Sequence, residues 1–194
     1  MHFAKDRKLG KLLFSAEDYH RLAKTGLFQE DDPIELLNGE IIIMSPIGTP
    51  HASMTTRLNT LLGARANGLA IVTQQNPLAL DPYSEPEPDL MLLKPREDYY
   101  ASAHPGPSDV LLLIEVSDTS LDYDQGPKLT AYAKGGVPET WIIDLAGRSL
   151  TIHRTPDPSG IYRVIHRPAH GTPFAPQALP SLTLTLTDLG WKAA

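Results

Sequence analysis

The stretch LLLIEVSDTSLDYDQGPKLTAYAKGG, residues 111–136, starts as a buried strand and ends as a helix. Leu111 to Ile114 are four aliphatic residues in a row. Glu115 follows, with only Val116 after it before the polar Ser117-Asp118 turn. A carboxylate closing a strand of that kind is costly unless something pairs with it. The helix downstream contains Pro127, which lacks an N–H and fits only in a first turn. That rule puts the N-cap no earlier than about Asp124, itself a good capping residue. Lys128 then falls in the first turn, on the face of Leu129 and Tyr132. A cation there opposes the helix dipole, so Lys128 stands where local preference disfavours it: a candidate functional cation, with a solvated surface lysine as the default reading.

Working outward, FSAEDYHRLAKTG (14–26) reads as a short helix with Ser15 as N-cap, Asp18 three residues on and Gly26 as the stop. IELLNGEIIIMSP (34–46) reads as a hairpin turning at Asn38-Gly39. HASMTTRLNTLLGARAN (51–67) carries Met54, Leu58, Leu61 and Leu62 at helical spacing and stops at Asn67-Gly68. Short strands are expected at LAIVTQQ (69–75), PLAL (77–80) and PDLMLL (88–93). More follow at ETWIID (139–144), SLTIHRT (149–155) and IYRVIHR (161–167), and the alternating tail SLTLTLTDLGW (181–191) reads as a last strand or edge segment. The pattern predicts an α/β (α+β) fold with a mixed β-sheet flanked by helices, in a single domain over residues 1–194.

Length and composition bound the function. A chain of 194 residues supports one substantial core and is short for two. The absence of cysteine excludes disulfides, thiolate catalysis and cysteine-ligated metal centres. No apolar run approaches the ~20 residues of a membrane span. The first residues lack a secretory apolar segment, so a cytoplasmic protein is expected. A net charge of −6 weighs mildly against binding nucleic acid through bulk charge, though a local basic patch can coexist with acidic sites.

Three acids stand in apolar surroundings. Asp89 opens a strand in EPEPDLMLL, and Glu115 closes one 26 residues later. If the two strands pair, both carboxylates converge at one sheet end. Two converging acids raise each other's pKa and favour a divalent cation. Magnesium takes one or two carboxylates and keeps several waters. An acid at a strand end is more often solvated or paired with Lys or Arg, so spacing alone leaves both readings open. Glu35 shares a face with Leu37 by alternation, either turned inward or starting a surface strand.

ELLNGEIIIMSPIGTPHASM, EPEPDLMLL and LLLIEVSDTSLDYDQGPKLTAYAKGGVPETWIID together resemble the Uma-two family of restriction-endonuclease-like proteins, within the PD-(D/E)xK nuclease superfamily. The resemblance runs from about residue 15 to 190 and implies a restriction endonuclease-like core. It implies that Asp89 and Glu115 are metal ligands, that Glu35 is the acidic residue from the N-terminal part, and that Ser117 occupies the usual lysine position. Lys128 matches a lysine that has migrated to the following helix. His51 matches a histidine at the start of the second helix, near substrate phosphate or simply capping. Tyr132 either holds the lysine, contacts phosphate or fills the core.

The function expected from this set is magnesium-dependent endonucleolytic hydrolysis of DNA, with manganese as a substitute. The competing readings are an inert binding module on the same fold and a phosphodiesterase for small nucleotides. A Lys/Arg stripe would favour DNA, and Arg21, Lys24, Arg57 and Arg65 on the first two helices are its candidates. Cutting both strands needs two active sites, which makes a homodimer the expected assembly.

Overall fold

A computed structural model describes residues 10–29 and 32–192. Helix α1 is Ala16–Lys24. Its capping box is present as the sequence predicts, with Ser15 and Asp18 satisfying each other's backbone N–H, and Gly26 follows at φ +77°. Strands β1 (Ile34–Leu37) and β2 (Glu40–Ile43) form the expected antiparallel hairpin. Asn38 and Gly39 both take positive φ, 52° and 78°, the conformation a tight two-residue turn requires. Helix α2 runs Thr49–Ala66 and ends on Asn67 in the left-handed region.

Six further strands make one sheet, hydrogen-bonded in chain order: β3 (Ile71–Gln74), β4 (Leu90–Leu93), β5 (Val110–Ser117), β6 (Glu139–Asp144), β7 (Ser149–Asp157) and β8 (Ile161–His166). All neighbours are antiparallel except β5 and β6. Those two are parallel because a helix carries the chain back between them, in three parts. An α-turn α3 (Leu121–Tyr123) leads into a π-helical segment (Asp124–Lys128) and then α4 (Leu129–Gly135).

This composite helix corrects the expected N-cap at Asp124. The helix starts one turn earlier, after Ser120, and Pro127 lies inside it. In a regular α-helix Pro127 would leave a carbonyl unpaired and collide with the preceding turn. The wider π segment changes which groups must pair there, and such segments occur often at functional sites. Lys128 therefore sits in mid-helix, and the dipole argument against it does not apply.

Alternation along β5 sorts the two faces. Leu112, Ile114 and Val116 pack with Met54, Leu58 and Leu62 of α2. Leu113 packs on the other face with Ala131 and Tyr132 of α4. Each of the fully buried leucines and Ile114 contributes about 1.5–3 kcal/mol over its exposed state. Glu115 has the parity of Leu113 and so faces α4.

Two expected strands are not strands. Residues 77–80 form a loop whose N–H groups reach Pro86, Pro105 and Ser84 carbonyls, with Leu78 and Leu80 buried. The tail keeps its alternation of burial, with Leu182, Leu184 and Leu186 inside. The tail joins neither sheet edge, β3 or β8; it packs over the α2 face beside Trp141, where Leu184 makes an isolated antiparallel bridge with Phe174 and turns pair much of the rest.

Candidate active site

The β4–β5 register pairs Leu90 with Ile114, and one further step puts Asp89 opposite Glu115. The two residues lock together. The Asp89 N–H donates to Glu115 Oε2 at 3.3 Å, and the Val116 N–H donates to Asp89 Oδ2 at 2.8 Å. Lys128 enters from the helix side, its Nζ 3.0 Å from Glu115 Oε1 and 3.2 Å from Glu35 Oε2. Glu35, Glu115 and Lys128 are all buried. Residues from the hairpin, two adjacent strands and the composite helix thus meet at one sheet end.

Magnitudes show why two acids are needed there. Desolvating an ammonium costs several kcal/mol. An ion pair near 4 Å returns about 4 kcal/mol at an effective dielectric near 20. One carboxylate would roughly break even, whereas two hold the lysine charged. Burial pulls the Lys128 pKa down, but Glu115 and Glu35 override it and keep it well above its ordinary value. For Glu115, burial dominates and pushes its carboxyl up to about 8, with Lys128 pulling the other way and Asp89 adding to the rise.

Tyrosines orient both acids. Tyr132, wholly buried, donates to Glu115 Oε1 at 2.5 Å, and Tyr123 donates to Glu35 Oε1 at 2.9 Å. Glu35 also accepts the Glu87 N–H at 3.0 Å. With Lys128 as well, Glu35 is saturated. Tyr132 stands behind Glu115, a geometry suited to holding the acid rather than touching a phosphate.

Ser117 donates to Asp124 at 2.7 Å, and Ser120 donates to the same oxygen at 2.5 Å. Asp124 is a site acid that the sequence reading spent on a helix cap. It is buried, and burial raises its pKa while Lys128 and the two hydroxyls offset part of the rise. The spacing Ser117, Ser120, Asp124 was the available signal.

His51 sits in the first turn of α2, with Nε2 3.0 Å from the Asp89 carboxylate. That hydrogen bond raises its pKa against the opposing effect of burial. Its Nδ1 is buried and reaches no protein partner among the described residues. The proposed cationic stripe does not form as expected. Arg21 pairs with Glu17 and Arg65 with Asp188 at 2.6 Å, so both are locally neutralised.

Asp89, Glu115 and Asp124 lie around a single lysine that already serves Glu35, and with only His51 beside them the acids outnumber the cations there. Glu115 Oε2 has only its long 3.3 Å backbone contact and keeps acceptor capacity. No group of three or more Asp, Glu, His or Cys among the described residues forms a cage for an ion. A two-carboxylate set of hard oxygens, completed by water and substrate oxygens, is what magnesium accepts. The residues fit such a cation.

Comparisons with known proteins agree with this architecture. One solved structure, a "putative nuclease belonging to DUF820" from Anabaena variabilis, matches with a TM-score of 0.68 at 14% identity. The match covers 91% of this chain and 97% of that one, which shows a shared fold. No curated protein matches the sequence. Residues 16–187 match the family Uma2, described as "Putative restriction endonuclease". That match takes in the hairpin, the strands that carry Asp89 and Glu115, and the composite helix, and the chain belongs to the Uma2 family.

Proposed function

We propose that this protein is a divalent-metal-dependent endonuclease that hydrolyses DNA phosphodiester bonds. The observation that carries the reading is the buried Lys128 ammonium held between Glu35 and Glu115 beside Asp89, at an acid-rich sheet end. Asp89 and Glu115 would hold magnesium or manganese. When bound, such a cation lowers the pKa of water and polarises a phosphoryl oxygen.

The chain's own groups take the remaining roles. An ammonium has three donors, and Glu35 and Glu115 occupy two, so Lys128 keeps one for water or a phosphate oxygen. Its charge offsets negative charge developing on the phosphate. Glu35 and Tyr132 act as positioning residues, fixing Lys128 and Glu115. His51, on the far side of Asp89, adds positive charge next to the same carboxylate when protonated.

The test is cleavage of supercoiled plasmid with magnesium or manganese, by wild type and by Asp89→Asn. Wild type should nick or cut. The variant should lose that activity while its metal-free thermal midpoint stays level or rises, because an acid crowded by other acids is removed. Equal cleavage by both proteins, or none by wild type with either metal, overturns the reading.

A further inference from the structure

A second charged feature lies beside the acid cluster, and it has the opposite sign. Pro50, Ser53, Met54 and Arg57 of α2 follow helical spacing and line an open cleft of about 390 Å³. Arg148 closes it from the β6–β7 turn, and Lys192 closes it from the C-terminal segment. Arg57, Arg148 and Lys192 are exposed and pair with no described acid, whereas Arg21, Arg65, Arg96, Arg154 and Arg163 each do.

Of the nearby acids, Asp188 is held by Arg65 and by the Thr185 N–H and Asp144 accepts the Gly147 N–H at 2.9 Å, while Asp118 lies beside Gly48 at the start of α2. The Arg57 guanidinium approaches Gly190 closely, where an added Cβ would meet Cζ at 3.3 Å, and Gly190 itself has φ +85°. Met54 and Trp191 form the buried floor under the charges.

The cleft is placed to serve the candidate active site. Arg57 lies six residues along α2 from His51, about 9 Å of helix rise. Arg148 lies just past Asp144, the register partner of Ser117. The same helix thus carries a residue of each feature, and the turn that carries Arg148 follows the strand paired with Ser117.

We infer that Arg57, Arg148 and Lys192 grip the DNA backbone next to the bond that is cut, which supplies a protein of net charge −6 with a local seat for a polyanion. The inference rests on the nuclease reading above and adds where the substrate lies. Arg21 and Arg65, each already paired with an acid, take no part.

The test measures binding without cleavage, by anisotropy of a labelled DNA duplex in EDTA over a series of salt concentrations. The triple variant Arg57→Gln, Arg148→Asn, Lys192→Gln should bind more weakly than wild type. Its slope of log affinity against log salt should be shallower by about 2 to 3, since each lost phosphate contact removes roughly 0.9. A control triple with the same charge change elsewhere, Lys24→Gln, Lys94→Gln, Lys134→Gln, should keep the wild-type slope. If the first triple fails to fold, Arg148→Asn alone decides. Asn tolerates the left-handed backbone that Arg148 adopts at φ 46°, and its slope should fall by about 1. Equal slopes for the cleft and control variants overturn the cleft and leave the nuclease reading standing. A wild type that neither binds the duplex nor cuts plasmid with metal overturns both.

Discussion

Glu115 on β5 and Glu139 on the adjacent β6 are both buried acids, yet their surroundings differ in kind. Glu139 accepts from Trp141 Nε1 at 2.6 Å, from Arg154 at 2.8 Å and from the Gln177 N–H at 2.6 Å. One acid meets one guanidinium and two neutral donors, so charge balances and both oxygens are used. The cluster ties β6 to β7 and to the C-terminal segment. Glu115 shares its lysine with Glu35, lies against Asp89 and Asp124, and keeps an oxygen with only a long contact. A saturated, neutral cluster builds structure. An unbalanced one with open acceptors stores affinity for a cation and marks chemistry.

The contrast is broken most directly at the two cations. Replacing Lys128 with Met should lower cleavage by about 10²–10³-fold, the scale of removing one charge-stabilising donor from a preorganised site. Replacing Arg154 with Met should leave cleavage per folded molecule unchanged. Plasmid cleavage normalised to the folded fraction measures both. If both variants lose activity alike, the two clusters do not differ as argued.

Stability should show the reverse pattern. Glu139→Ala leaves the half-buried Arg154 guanidinium, Trp141 Nε1 and the Gln177 N–H without their shared acceptor, and buried donors left unsatisfied cost about 1–3 kcal/mol. Urea unfolding should register that loss, and a cost under about 1 kcal/mol would mean the Glu139 cluster is not structural.

The smallest effect is in acid. His153 faces Thr140 across the β6–β7 register and lies next to Arg154. Burial first, and Arg167 second, lower its pKa to about 4 from 6.5. Above pH 6.5 neither folded nor unfolded chain binds this proton, so it has no effect on stability. Between 6.5 and 4 only the unfolded chain binds it, so stability falls as the solution is acidified. His153→Gln should flatten the wild-type loss between pH 7 and pH 5 by about 1 kcal/mol, a figure reduced for partial solvent access. Urea midpoints at the two pH values would show it, and parallel losses in both proteins would refute it.

Where sequence reading succeeded, the signal was local. The Ser15–Asp18 capping box, the Asn38-Gly39 turn, the end of α2 at Asn67 and the buried run of β5 are each set by neighbours a few residues apart. Family resemblance carried Glu35, Asp89, Glu115, Lys128 and His51, and the structure brings these five to one sheet end.

Where it fell short, the deciding partner was distant or the backbone unusual. Pro127 argued for a helix start, and only the π segment shows that the helix runs through it. Asp124 looked like a cap until Ser117 and Ser120 converged on it. The tail has a strand's alternation, but its apolar side packs on the α2 layer and Leu184 pairs only with Phe174, and periodicity does not say which backbone will lie alongside. Arg65 looked available until folding set Asp188 beside it, 123 residues away in the chain.

The amino-acid sequence by itself determined where this chain turns, caps and buries apolar residues, because propensity and periodicity act over one or two turns of backbone. It also determined which residue types can carry phosphodiester chemistry. Only the tertiary structure decided which acids share a cation, which arginines stay unneutralised, and that Arg57, Arg148 and Lys192 line one cleft. Charges act through space over several ångströms with little regard for chain separation, so their balance at a site exists only once the fold has brought them together.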